Sequence, residues 1–198
     1  QESRGLGDVY KRQAFHRYDR AEMKSELARR TAEGDYTFSH FSYEANELVE
    51  LERVFREYGE TGKGRTRHYV HDDKEAERFQ APPGTFTDWS PFEDGSDLLF
   101  YEGLHGAVSN NEVNIARFSD LKVGVVPVIN LEWIQKIHRD RAHRGYSTEA
   151  VTDVILRRMH AYVHCICPQF TETDINFQRV PVVDTSNPFV ARWIPTVD

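Results

Sequence analysis

A short β-branched run that feeds straight into a charged helix constrains this chain more than any other stretch of it. In residues 121–145, LKVGVVPVINLEWIQKIHRDRAHRG, the side chains of Val123, Val125, Val126, Val128 and Ile129 read as a strand covered on both faces. Asn130 stands where a helix N-cap belongs. In the helix that follows, Trp133, Ile134 and Ile137 recur a turn apart to face a core, while Lys136, Arg139, Asp140 and Arg144 gather on the other side. Cations grouped around one carboxylate suit a phosphorylated ligand, because lysine meets phosphate as a point charge and arginine as a bidentate fork. Just past the carboxyl end of a strand, such a face is a candidate anion site. Taken alone, a charged stripe is more often solvated surface.

Composition narrows the function classes. At 198 residues the chain can fill one well-packed domain without a disulfide or metal staple. A hydrophobic share of 39% beside 29% charged residues is that of a soluble globular protein. The net charge of −7 argues against generic binding to nucleic acid or to an anionic membrane, although local basic clusters can still hold phosphates. The apolar run at 123–129 is far too short to span a bilayer, and no signal-peptide pattern is visible. Cys165 and Cys167, one residue apart, are poorly placed to bridge each other, which fits a reducing cytoplasm.

Residues 1–13, QESRGLGDVYKRQ, show no hydrophobic periodicity and read as a non-native or disordered leader ahead of a domain at 14–198. Asp19 and Glu22 form a capping box and Gly34 stands at C′, which predicts a helix over 20–33. Ser42 is expected to open a second helix in which Leu48, Leu51, Phe55 and Tyr58 repeat, with Gly59 ending it. Between the two helices TFSHFSY is an aromatic connector. Residues 59–71, GETGKGRTRHYVH, superficially suggest a phosphate-binding loop but lack the GxxxxGK[ST] spacing and follow a helix instead of a strand. A short basic hairpin is expected there, with Arg65, Arg67 and His71 facing solvent or a ligand. Residues 72–97 are acidic and broken by Pro82, Pro83, Gly84 and Pro91, so no regular element is expected.

Residues 98–101 read as a second buried strand that delivers Glu102 to its carboxyl end, where a carboxylate can hold Mg²⁺ or its water. Ser147 caps a structural helix lined by Val151, Val154, Ile155, Met159, Tyr162 and Val163. His160, His164, Cys165 and Cys167 lack the HExxH glutamate and a second ligand pair, so core and surface duty is expected of them instead of zinc binding. A further strand is expected at 180–184, followed by a turn at Ser186, Asn187 and Pro188.

Together these segments carry a resemblance. AFHRYDRAEMKSEL, FSHFSYEANELVELERVFREYGETGKGRTRHYVHDD, LLFYEGLHGAV, VGVVPVINLEWIQKIHRDRAHRGY and DINFQRVPVVDTSNPF resemble the phosphoribulokinase family in its proteobacterial, Calvin-cycle branch, over residues 14–198. The resemblance implies an α/β fold, the mixed-sheet sandwich of P-loop kinases related to nucleoside monophosphate kinases. It also implies transfer of the ATP γ-phosphoryl group to the 1-hydroxyl of ribulose 5-phosphate. Mg²⁺, a homo-oligomer in the full-length enzyme, regulation by NADH and AMP, and a cytoplasmic setting follow from the same likeness. Position by position, His16 and Arg20 match the family's sugar-phosphate contacts, and Lys136, Arg139 and Arg144 match residues that handle substrate phosphates. Asp140 matches a catalytically important carboxylate, Glu102 the acid that serves Mg²⁺, and His71 a substrate-side histidine. Arg157 and Arg158 are expected either to stabilise charge or to be solvated surface.

The departures are as informative. In the family a first strand, a glycine-rich phosphate loop, a helix and a second strand precede AFHR, and an Asp acting as general base stands where this chain has Gln13. The resemblance therefore implies a domain truncated at both ends, since the family also continues past Asp198, and no detectable kinase turnover by the chain as written. Two other readings stay open on the residues alone. One is another P-loop small-molecule kinase of the uridine or pantothenate kinase type; the other is a non-catalytic remnant that binds sugar phosphate and ignores ATP.

Overall fold

Helix formation follows local chemistry closely at the start of the domain. α1, Arg20–Ala32, opens on the expected capping box, in which the Asp19 side chain accepts from the Glu22 amide and the Glu22 side chain accepts from the Asp19 amide. It closes at Glu33 and Gly34, the latter at φ 83°. In this computed structural model, which describes residues 8–93 and 95–178, the elements that follow are α2 (Leu48–Thr61), α3 (Asp73–Phe79), α4 (Ile129–Arg144) and α5 (Thr148–Ala161). The strands are β1 (Asp8–Lys11), β2 (Arg65–Thr66), β3 (Ser90–Pro91), β4 (Leu99–Glu102), β5 (Val123–Val126) and β6 (Ile175–Gln178). The strand expected at 180–184 and its turn lie outside the described residues.

Among the described residues, three two-stranded sheets connect these elements: β1 with β4 in parallel, β5 with β6 in parallel, and β2 with β3 antiparallel. Residues 8–11, within the segment read from sequence as a leader, thus lie alongside residues 99–102. The basic segment does not form a local hairpin. Its strand β2 pairs with β3, and a bridge between Tyr69 and Phe86 extends the ladder, so the intervening 72–85 protrude as the tip of a longer arm. That tip contains α3, which the acidic composition concealed. Asp72 caps it, its carboxylate accepting from the amides of Lys74 and Glu75 at 3.0 Å each.

The main core gathers Phe15, Leu48, Leu51, Val54, Phe55, Phe92, Val108, Val113 and Ile115, with Tyr101 and Leu99 of β4 packed against it. A smaller core of Met23, Phe38 and Ala45 sits beside α1 and contains the aromatic connector. Several expected boundaries move for tertiary reasons. Ser42 opens a 3₁₀ turn, Tyr43–Ala45, and its hydroxyl accepts from the Ser39 amide instead of capping α2. α2 runs through Gly59 and ends at Gly62, which has φ 69°. α4 begins two residues earlier than expected, with Val128 instead of Asn130 at the N-cap position and no side-chain cap bond.

The two strands read as buried are covered on one side only among the described residues. Phe100 of β4 is 52% exposed and Val125 of β5 is 57% exposed. Gly124 between the β5 valines sits in close approach to β6, because a Cβ there would lie 2.1 Å from Oδ1 of the Asn176 side chain, which would have to shift. In α4, Leu131 is the fully buried apolar residue, while Trp133, Ile134 and Ile137 are half-buried. On α5, Val151 and Ile155 are buried but Val154 is exposed, as is Val163 in the π-helical turn Tyr162–Ile166 that follows. No described helix is long and apolar enough to cross a membrane.

Candidate functional site

The first cluster forms where the start of α1 meets the β2–β3 arm. Buried Ala14 and Phe15 anchor the chain before α1, Phe15 lying 5.7 Å from the Trp89 ring and 6.1 Å from Tyr101. Its backbone is sewn to the turn before α2: Arg17 donates to Ala45 O at 2.9 Å, and Glu47 donates to Phe15 O at 2.8 Å. His16 follows directly and stacks near His40 at 5.5 Å. Arg20, the first residue of α1, donates from its amide to Gly84 O and from Nη2 to His71 O at 3.0 Å. Gly84 has φ 90°, and a Cβ there would come within 3.0 Å of the Arg20 side chain.

His71 is held by Glu75, whose Oε2 accepts from the His71 amide at 2.7 Å and lies 2.9 Å from Nδ1. α3 makes this contact possible, since it turns Glu75 back toward His71. The structure therefore brings Arg20 and His71 into direct contact. It ties His16 to the same arm through Arg67, which donates from Nε to Ala14 O at 2.9 Å and from Nη2 to His16 O at 2.6 Å. Arg67, expected to face solvent or a ligand, lines a shallow cleft with Glu47, Glu50, Arg65 and Trp89. It is half-buried, 3.8 Å from the Phe86 centroid and 4.6 Å from that of Trp89.

The second cluster lies on α4. Lys136 and Asp140 are one turn apart and form an ion pair through Nζ and Oδ2, while Arg139 Nε donates to Asp140 Oδ1 at 3.0 Å. Asp140 is 3% exposed, so the charged face predicted from sequence is not a solvated stripe at its centre. Burial by itself would raise this carboxyl, but the hydrogen bonds from Lys136 and Arg139 outweigh it and hold Asp140 below the usual aspartate value. The result is a carboxylate whose charged form is favoured by Lys136 and Arg139. The side chain of Arg144, predicted to join them, lies outside the described residues.

Glu102 ends β4 with its side chain exposed. The loop after it is fixed from below by a buried polar network that the sequence did not reveal. Gln169 donates from Nε2 to Leu104 O at 2.8 Å and to Cys165 O at 2.7 Å, and its Oε1 accepts from the Ala107 amide at 3.2 Å. His105, 3% exposed, lies 3.2 Å from Asn46 Nδ2, and Asn46 is the bridge partner of His16. Among the described residues no group of three or more His, Cys, Asp or Glu side chains could hold a metal ion by itself. A lone exposed carboxylate fits Mg²⁺ as one ligand among phosphate oxygens and waters, which is how that ion is commonly bound.

Arg157 and Arg158 are engaged with the opening helix and connector. Arg157 donates to Thr31 Oγ1 at 3.1 and 3.2 Å, and Arg158 lies 5.2 Å from the Phe41 ring. Cys165 and Cys167 are free thiols, and the His160 and His164 rings lie 4.4 Å apart.

The fold is that of the α/β P-loop kinase class. The chain belongs to the family described as "Phosphoribulokinase / Uridine kinase family", whose model matches residues 5–186. It is 80% identical over 185 residues to Phosphoribulokinase 2 of Cereibacter sphaeroides, an alignment covering 93% of this chain and 63% of that relative. To the phosphoribulokinase of Nitrobacter vulgaris it is 70% identical over 185 residues, covering 64% of that protein. The solved structure of phosphoribulokinase from Rhodobacter spheroides is similar with a TM-score of 0.81 and 74% identity, covering 96% of this chain and 66% of that one. The chain thus spans less than two thirds of the length of the relatives it matches.

Proposed function

We propose that the chain carries the sugar-phosphate side of an ATP-dependent kinase that converts ribulose 5-phosphate to ribulose 1,5-bisphosphate. The observation that carries this reading is the contact of Arg20 with the His71 carbonyl at the start of α1, in a chain 60–80% identical to phosphoribulokinases. His16, Arg20 and His71 bind the phosphate of the sugar. Arg20 retains donors beyond the one given to His71 O, since a guanidinium has five N–H groups. On α4, Lys136, Arg139 and Arg144 neutralise phosphate charge, and Asp140 fixes the cations in place while staying ionised.

ATP would supply the γ-phosphoryl group, and Glu102 would help to hold a Mg²⁺ ion whose charge would offset that of the phosphates. Gln13 is a carboxamide and takes no proton from the sugar hydroxyl, so proton removal is assigned to no residue here. The 198 residues contain no GxxxxGK[ST] motif, and no segment among them is assigned to cradle nucleotide phosphates. The reading extends to a cytoplasmic homo-oligomer that responds to NADH and AMP, checked by sedimentation and by effector titration.

Calorimetric titration of the chain with ribulose 5-phosphate, and separately with uridine and pantothenate, tests the reading. Saturable binding is expected for ribulose 5-phosphate alone. Arg20→Ala and Arg139→Ala are each expected to weaken it about ten- to a hundredfold, the loss of one hydrogen bond to a charged group. Equal affinity in wild type and both variants would make the two clusters solvated surface and end the proposal.

A further inference from the structure

The segment that carries His16 lies between a 3₁₀ turn at Arg12–Phe15 and the first turn of α1, and on one side it is bridged to Asn46, with backbone bonds from Arg17 to Ala45 O and from Glu47 to Phe15 O. The position of its imidazole therefore depends on what grips the backbone of residues 14–16. The β2–β3 arm does so through Arg67, whose planar fork takes the carbonyls of Ala14 and His16 together. The grip is mirrored: from the α1 side, Arg20 reaches across to the carbonyl of His71 on the same arm. Two guanidinium groups thus reach in opposite directions across one seam, each onto a histidine carbonyl.

Arg67 is built for this task and poorly suited to others. The Phe86 and Trp89 rings both contact its guanidinium, and Trp89 also packs on Phe15, so the side chain is held by aromatic contacts and coupled to the core. Half-burying a charge without a carboxylate bonded to it is costly, and an apolar residue would fill the space more cheaply. A lysine offers a point charge that cannot span two carbonyls while held against both rings.

We propose that Arg67 is a positioning residue of the sugar-phosphate site, holding His16 through its main chain and setting its placement relative to His71 without touching substrate. This rests on the assignment of His16 to the sugar phosphate.

The test is a double-mutant cycle in the full chain with ribulose 5-phosphate as the probe, joined to an NMR measurement that needs no ligand. Arg67→Lys is expected to weaken binding about tenfold in the wild-type background. In a His16→Ala background it is expected to change binding by less than about twofold, because coupled residues are non-additive. In the free chain, the ¹³C-labelled imidazole resonance assigned to His16 by its loss in His16→Ala is expected to move in Arg67→Lys. An equal loss in both backgrounds, or an unmoved resonance, overturns the proposal, since a merely structural role would weaken binding without regard to His16. Phe86→Leu, which keeps both carbonyl bonds and removes one contacting ring, is expected to show the same pattern to a smaller degree. If Arg67→Lys does not fold, Phe86→Leu decides by the same two readouts. Should the wild-type chain fail to bind ribulose 5-phosphate, the sugar-phosphate reading falls, while the resonance still reports whether Arg67 holds His16.

Discussion

Asp140 is nearly sealed from water, yet it is charged, and that combination has a measurable signature. Its folded-state carboxyl value lies below the ordinary 3.8, so its contribution to stability is fully present above that pH and disappears as pH falls through the lower folded value. Asp140→Asn, which leaves the half-buried Lys136 ammonium without its counter-charge, is expected to cost about 1–3 kcal/mol in urea denaturation at neutral pH and to abolish that acid-side loss. Glu50 behaves similarly. Burial raises it, but hydrogen bonds from Arg65 and Arg53 bring it from 4.5 to about 2. Stability is therefore expected to decline between pH 4.5 and about 2, and Glu50→Gln to flatten that decline, read from denaturation midpoints across the range. At this scale the sequence exposed what lies one helical turn apart and concealed what a fold must bring together. Lys136 and Asp140 share a face by spacing alone. The grip of Arg67 on Ala14 and His16 crosses half a hundred residues of chain, and nothing local in GRTRHYVH distinguishes that arginine from Arg65, which pairs with Glu50 instead.

α2 shows how packing overrides a local stop signal. Gly59 is the first glycine after the apolar repeat, but the helix continues past it because Tyr58 is held from outside, its ring 6.0 Å from Phe92 and its hydroxyl bonded to Ser96. The real end is at Gly62, and two residues later Gly64 serves a different purpose. Gly62 has a positive φ and open space around its missing Cβ, whereas a Cβ at Gly64 would lie 2.4 Å from the Phe92 ring. Gly62→Ala is therefore expected to cost about 1–2 kcal/mol through backbone strain alone. Gly64→Ala is expected to cost about 1–3 kcal/mol by displacing a core ring, and to perturb the near-ultraviolet signal of the aromatic core, which Gly62→Ala leaves unchanged. α3 was missed for the opposite reason. Seven residues with no apolar periodicity offer only a cap, Asp72 followed by Asp73 and Glu75, and that cap reads as acidic loop until the arm beneath it is known.

Across the whole molecule, the fold class was legible through resemblance, and the strand positions of β4 and β5 through their apolar runs. Which strands pair, and which faces remain bare, was not, because pairing partners lie far apart in sequence. Leu98, Phe100, Val123 and Val125 are large apolar side chains left exposed along β4 and β5. Phe100→Lys and Val125→Lys are accordingly expected to reduce dye binding and light scattering of the isolated chain while leaving its unfolding midpoint within about 0.5 kcal/mol of wild type. The pairings themselves carry a consequence for how the chain acquires its shape. Asp8 meets Leu99 and Val123 meets Ile175, so neither parallel ladder can start until most of the intervening polypeptide exists, and each closure forfeits the entropy of a long loop before any contact rewards it. On an emerging chain, α1 and α2 can form at once, but β1 must wait beside the ribosome exit for β4. The interval between synthesis and closure, in which strand edges stand open, is where this molecule is most exposed to misassembly.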